Sequence, residues 1–499
     1  MELRFQKSQC NYLQRLNREV QNLEQTQEIK LTDGMPDIGR VLSAWGQVIL
    51  RSKEWRSGGV SFSGGIMVWV LYSPEDGSEA RCVESWIPFQ MKWDINDEGR
   101  EGDIRIQCIP RFVDARNVSA RKIMVRAGVA ALCETYVNWD ADIFEPGEMP
   151  EDVQLLRRSY PMRMPREAGE KSFLLDEQLT LPASCPKPAK LICFYLQPEV
   201  TDQKLLANRV VFRGNGNLHI LYKSEEGQLF GWDFEVPFSQ YADLNGEYSG
   251  DAKADVAIGV TNLELDLDDE KNLRLKCGML GQYLVDDRYM AQITEDAYSP
   301  SRPVSVQTQM LELPAMLESR REMMTAEQTI PQDANMVVDT TFLPDFPRQH
   351  RGENGIEMEL PGQFQVLYYG EDGTLRSANT RWEGKYQMTA DEDSRLDAFS
   401  APVGRPQATV GDGTIDVRND VQLRLDTIGG SGIPMVTGLE LGEQREPDPG
   451  RPSVILRRAG ESRLWDIAKD TGSTMEAIRQ ANGIEGEPEM NRILLIPVS

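Results

Sequence analysis

Catalysis and metal binding need particular side chains in particular company, and this 499-residue chain offers few of them. Its two histidines are His219, inside a predicted strand, and His350, in a Pro- and Arg-rich loop. Neither has a metal-ligand companion three or four residues away. Each is expected to be a satisfied or solvated imidazole. Seven cysteines (Cys10, Cys82, Cys108, Cys133, Cys185, Cys193, Cys277) lie scattered with no C-x-x-C, and read as buried thiols of a reducing compartment. The sequon Asn117-Val118-Ser119 is then idle. Gly214-Asn215-Gly216 begins like a dinucleotide loop but stands in a strand with no helix after it. No G-x-S-x-G nucleophile elbow occurs. Among 79 carboxylates no acid and base pair stands out, and Glu75-Asp76 and Glu371-Asp372 read as turn residues. The expectation is a protein that is not an enzyme and holds no cofactor or metal.

Composition narrows the partners. A net charge of −25 opposes nucleic acid, whose phosphates would repel the chain, and disfavours an anionic membrane face. No window holds the roughly 20 apolar residues of a membrane helix, so an integral membrane protein is not expected. The N-terminal MELRFQKSQCNYLQRLNREV lacks an apolar signal core, and export is not indicated. The 40% hydrophobic content suffices for ordinary cores.

The elements that would position any site repeat along the chain. Val60 to Gly77, VSFSGGIMVWVLYSPEDG, is echoed by VVFRGNGNLHILYKSEEG at Val210 to Gly227 and by MELPGQFQVLYYGEDG at Met358 to Gly373. Each is a strand of β-branched and aromatic residues that reaches an acidic residue and a Gly, the mark of a tight turn. The first two copies hold register at 150 residues: Pro36 and Pro186, Phe62 and Phe212, Tyr72 and Tyr222, Gly128 and Gly278. RKIMVRAG at Arg121 answers KNLRLKCG at Lys271, and Pro88-Phe89 answers Pro237-Phe238 one residue short. In the looser third copy Leu221-Tyr222 maps to Leu367-Tyr368. Alternation predicts antiparallel sheet with one face buried.

The resulting layout is a helix or arm over residues 1–24, with Leu13, Leu16, Val20 and Leu23 at helical spacing, then repeat 1 at 25–144 and a linker at 145–171. Repeat 2 follows at 172–290, a partly helical linker broken by Pro314 at 291–334, a degenerate repeat 3 at 335–442 and a linker at 443–452. The fold class is mostly β: tandem antiparallel sandwich- or barrel-like repeats, then a small α+β module of βααβ order at 453–499. In that module SVILRR is a strand and Ser462 a plausible N-cap for RLWDIAKD. Gly472 ends this helix. Ser473 or Thr474 caps MEAIRQAN, Asn482-Gly483 stops it, and RILLIP is the last strand. Leu464, Ile467, Ala468, Ile478, Leu494 and Ile496 are its expected core, with Trp465 one step off the apolar stripe, at the core's edge.

LWDIAK, the Asn-Gly and the terminal LLIP resemble the LysM domain. That resemblance implies binding of N-acetylglucosamine-containing glycans such as peptidoglycan. The implied groove lies between Gly460, Glu461, Ser462, Arg463 and Leu464 on one side and Asn482, Gly483 and Ile484 on the other. The family usually reads Gly-Asp-Thr-Leu-Trp, and Gly460 to Trp465 carries one residue more, in the turn that would touch the sugar. A protein-docking use of the module stands beside the glycan reading.

Pro36-Asp37-Ile38-Gly39-Arg40-Val41-Leu42, the Leu-Tyr hairpin, Pro88-Phe89 and Arg121-Lys122-Ile123 resemble the SPOCS domain (DUF3794-type) of endospore formers. Repeat 2 is a divergent copy, with Lys187-Pro188 in place of Asp-Ile. SPOCS repeats ahead of one LysM are similar to spore-coat morphogenetic proteins of the SipL and SpoVID kind. The resemblance implies a mother-cell cytoplasmic scaffold, recruited to the forespore surface by a morphogenetic ATPase of the SpoIVA type, that helps attach the spore coat. The other readings are a generic peptidoglycan-binding protein and a LysM-anchored wall hydrolase.

Overall fold

In the computed structural model of the chain, residues 2–96, 99–268, 270–313, 316–352, 355–389, 395–429, 432–446, 450 and 452–498 are described. Residues 2–146 form six strands: β1 (Glu2–Lys30), β2 (Ile38–Arg56), β3 (Gly59–Pro74), β4 (Arg81–Asp94), β5 (Asp103–Ser119) and β6 (Lys122–Pro146). They pair antiparallel in two faces, ordered β2-β3-β4 and β1-β6-β5. Along β3, Phe62, Ile66, Val68, Val70 and Tyr72 point between the faces onto Ile123, Val125, Ala127 and Val129 of β6. The alternate residues Trp69 and Leu71 turn outward into a second apolar cluster. Strand alternation therefore builds one core inside the unit and one outside it.

The plan recurs twice. Unit 2 has β7 (Gln154–Thr180), β8 (Pro188–Leu206), β9 (Arg209–Ser224), β10 (Leu229–Asp243), β11 (Lys253–Leu267) and β12 (Asn272–Tyr298), ordered β8-β9-β10 and β7-β12-β11. Unit 3 has β13 (Val304–Leu311), β14 (Met316–Ile330), β15 (Met336–Pro344), β16 (Arg348–Gly352), β17 (Gly355–Tyr369), β18 (Leu375–Met388), β19 (Arg395–Val410), β20 (Ile415–Ile428) and β21 (Ile433–Leu441). Here β17 lies between β18 and the pair β15 and β16, and the other face is β14-β20-β19. Strand order is thus the same in all three. Tyr72 and Tyr222 even donate to matching carbonyls, Pro36 O and Pro186 O, each at 3.1 Å. The hairpin glycines Gly77, Gly227 and Gly373 have φ of 72°, 89° and 73°, the left-handed region that other residues resist.

Residues 1–24 are not helical. They lie in β1, which pairs with β6 from Phe5–Pro146 to Lys30–Lys122. Leu16 and Leu23 pack on the core of unit 1, Leu13 contacts Leu284 of unit 2, and Val20 joins Phe346 of unit 3. A strand covered at successive positions from Tyr12 to Arg18, with a bulge between Arg15 and Asn17, imitates a helical stripe. The stretch 145–171 is likewise mostly strand: β7 pairs with β12 from Gln154–Tyr298 to Thr180–Asn272. Over 291–334 the expected helix is replaced by the end of β12, by β13 and by β14, whose Met, Glu, Arg and Ala favour helix until pairing with β20 overrides them. Pro314 lies outside the described residues. His350 sits in β16 rather than a loop, 3.3 Å from Glu359.

The outer ends of the long strands make a shared body. Cys10 and Tyr12 of β1, Ile143 of β6, Met162 and Met164 of β7, and Ile293 of β12 form one buried cluster, completed by Leu311 of β13 and Met435 of β21. All seven cysteines are free; Cys82 and Cys108 are half-buried and the rest buried. Burial pushes the Cys82, Cys133 and Cys277 thiols up to about 12, which keeps them protonated and inert.

The units close head to tail into a ring. Equivalent strand positions Trp69, His219 and Gln365 each reach the next unit. Trp69 packs on Phe194 of unit 2, with ring centroids 5.1 Å apart. His219 faces Asp339 of unit 3 at 3.0 Å, and Gln365 donates to Ser43 and to Ala44 O of unit 1. The equivalent leucines Leu71, Leu221 and Leu367 share the apolar cluster between them. On the other faces, Asp255 of unit 2 accepts from Arg105 of unit 1 and from Arg424 of unit 3. Arg15 and Arg18 of unit 1 reach Asp397 of unit 3. A heterologous contact that returns to its start needs no further copies to satisfy it.

His219 titrates with this arrangement. Burial alone would lower its pKa, but Asp339 and Asp233, the latter 2.7 Å from Nδ1, outweigh it and hold the imidazolium to about pH 10. An unfolded histidine titrates near 6.5. The contribution is therefore complete below that pH and is lost as pH rises through 10. Melting temperature should fall between pH 7 and 10, and His219→Gln should flatten that fall. A variant with the wild-type slope would contradict the assignment.

Candidate functional site: the C-terminal module

The last described residues form β22 (Val454–Arg458), α1 (Leu464–Thr471), α2 (Met475–Asn482) and β23 (Ile493–Pro497), with β22 and β23 antiparallel. Leu464, Ile467, Ala468, Ile478, Leu494 and Ile496 make the core, each fully buried. Gly472 (φ 64°) and Gly483 (φ 60°) end the helices in the left-handed conformation, and Thr474 Oγ1 accepts the Ala477 N–H at 3.1 Å as the second N-cap. The first N-cap falls one residue later than Ser462, at Arg463, whose side chain makes no capping bond. Glu487, from the acidic loop after α2, accepts the Leu464 N–H at 2.7 Å instead. The extra turn residue and the acidic loop thus compensate each other.

The residues expected to face a ligand divide in two. Gly460, Glu461, Ser462, Arg463 and Gly483 are exposed, with the Arg463 guanidinium 3.1 Å from Asp466. Leu464 is fully buried, and Ile484 packs beside it. Asn482 is spent on structure: its amide donates to Ile478 O at 2.7 Å and Leu495 O at 2.6 Å, and its Oδ1 accepts the Leu495 N–H at 2.8 Å. The Glu487 bond ties the two flanking loops together, but the polar handles left to a ligand come from the 460–463 turn.

Trp465 is the larger surprise. It is buried, not at a core edge, because the module is seated on unit 2. Its ring meets Tyr298 of β12 edge-on at 4.8 Å, and its Nε1 donates to Asp296 at 2.8 Å. Lys469 Nζ reaches Asp296 at 2.7 Å and Tyr298 Oη donates to Ser473 O at 2.9 Å. The signal in the sequence was Trp465 itself, a large aromatic one step off the apolar stripe. A second group went unread. Strand residues Val454, Leu456, Ile493 and Leu495 share the face of the ribbon turned away from the helices, and with Met490 they stand exposed. The uninterrupted runs VIL and ILLI announce it, since a strand apolar at successive positions is apolar on both faces.

Fold and site together define a three-unit antiparallel β protein with a seated βααβ module. Within it, the family model described as SipL, SPOCS domain matches residues 190–268, which hold β9, β10 and β11 and most of β8. The match falls on unit 2, the copy with Lys187-Pro188, rather than on unit 1 with its fuller motif. No curated protein and no solved structure matches the chain. Among the described residues no helix is long and apolar enough to cross a membrane.

Proposed function

We propose that the chain is a non-enzymatic sporulation scaffold of the mother cell, which helps attach the spore coat to the forespore surface and docks through a LysM-type C-terminal module onto a morphogenetic ATPase of the SpoIVA kind. The SPOCS match supports the sporulation context. The observation that carries the docking reading is the outer ribbon face, where Leu456 is 71%, Met490 67% and Ile493 61% exposed. A clustered apolar face on a small module is what a protein partner covers. The glycan groove is poorer by comparison, since Asn482 is consumed and Leu464 is buried. The three units add further surfaces on the same chain, so a modest module contact gains from effective concentration.

The test is capture of the purified ATPase by full-length chain. Leu456→Glu with Ile493→Glu should weaken capture about a hundredfold, as loss of two apolar anchors would, while leaving the melt of the three units unchanged. Wild-type capture by this variant would refute the reading. Retention of purified peptidoglycan, lost on changing Ser462 and Arg463, would replace it with the glycan one.

A further inference from the structure

We infer that the cavity where the three units meet binds a small multivalent oxyanion, of the phosphate or polycarboxylate class. The cavity encloses about 1080 Å³ and is walled by β1, β5 and β6 of unit 1, β7, β8, β11 and β12 of unit 2, and β14, β19 and β20 of unit 3. That volume suits a small-molecule ligand. Eight guanidinium groups line it, among them Arg15, Arg18, Arg105, Arg163, Arg395 and Arg424. Seven carboxylates share the lining, among them Glu134, Asp255, Asp286, Asp397 and Asp426. With Lys204 and Lys253, ten cations face those seven carboxylates. Arg288 is paired at 2.7 Å with Asp251, which does not line the cavity, and the remaining surplus is two positive charges with every carboxylate ionised. This surplus sits inside a chain whose net charge is −25.

Among the described residues the pairing is also incomplete. Arg163 bonds only carbonyl oxygens, Asp251 O at 3.0 Å and Asp286 O at 3.4 Å. Arg395 is 4.0 Å from Asp397, a carboxylate that Arg15 and Arg18 already share. Burial, and then the charges of Arg15 and Arg18, depress the Arg395 pKa, the response of a cation short of counter-charge. Arg15 Nη2 and Arg105 Nε are buried without an acceptor. Guanidinium forks match phosphate and carboxylate oxygens two at a time, which selects an oxyanion over chloride.

Asp286 gives the site a pH dependence. Burial first, then Asp255 of β11 and Asp426 of β20, raise its pKa to about 7, against the opposing pull of Arg163 of β7 and Arg105 of β5. Protonation there adds one positive charge to the wall, so an anion whose own charge is constant over that range binds more tightly at pH 6 than at pH 8. Because all three units supply arginines, the ligand also fastens the ring.

Titration calorimetry and thermal melts of the full chain test this, with inorganic phosphate and citrate as probes and chloride at equal ionic strength as control. Phosphate and citrate also stabilise proteins generally by exclusion from the surface, but that effect is linear and unsaturable. A saturable single site per chain is expected. Arg395→Gln should weaken it about tenfold, as should Arg163→Gln, and Asp286→Asn should remove the part of its pH dependence that the probe's own titration does not supply. The better probe separates the phosphate source from the polycarboxylate one. Arg395 is half exposed, so its variant should fold and decides alone if Arg163→Gln does not. Linear shifts with both probes, or wild-type affinity in Arg395→Gln, would overturn the site.

Discussion

Asp255→Ala should destabilise the chain by roughly 3–5 kcal/mol, the cost of breaking a buried ion pair from one side. Among the described residues Asp255 is the one carboxylate bonded to both Arg105 and Arg424, which belong to units 1 and 3. Burial alone would raise its pKa, and those two guanidiniums drive it far below the usual carboxylate range instead. Removing it takes a counter-charge from buried Arg105, which keeps Glu134 at 3.5 Å, and from half-buried Arg424, which keeps Asp426 at 3.1 Å. Asp251→Ala is the control. Its pair with Arg288 leaves both side chains more than half exposed, so the change should stay within about 0.5 kcal/mol. Denaturant midpoints compare the two, and equal shifts would mean that the buried network does not hold the units together.

Leu221→Ala is expected to cost about 2–5 kcal/mol, the range for a buried leucine whose neighbours cannot fully collapse. Leu221 is fully buried although it points out of its own unit. It lies with Leu71 and Leu367, and with Trp45, Trp69 and Ile192, where the three β2-, β8- and β15-containing faces converge. Leu71→Ala and Leu367→Ala should cost similar amounts. Because the three side chains share one cluster, the triple variant should cost less than the sum of the single ones. Strict additivity would place them in separate surroundings.

What the sequence revealed follows from how locally each feature is encoded. The repeated hairpins were legible because Gly77, Gly227 and Gly373 and the alternation before them report on a single strand and turn. The C-terminal module was legible for the same reason: its caps and apolar stripe lie within 47 residues, 453–499. Contacts made between units left weaker traces. The 1–24 and 145–171 stretches become the paired strands β1 and β7, but coverage at successive positions, from Tyr12 to Arg18 and from Met162 to Gly169, removes the period of two that would have marked them. His219 reads from sequence as a strand histidine, and nothing adjacent announces Asp339, 120 residues later. Trp465 finds its partners in Asp296, 169 residues away, and in Tyr298. The capping glutamate, Glu487, lies 23 residues from the amide it serves.

The fold rests on three copies of one β unit closing on each other. Methyl-labelled NMR of the intact chain reads that closure directly. Nuclear Overhauser cross-peaks should join the methyls of Leu71, Leu221 and Leu367 into a single connected network that also includes Ile192. Three isolated sets of cross-peaks, each confined to its own repeat, would contradict it.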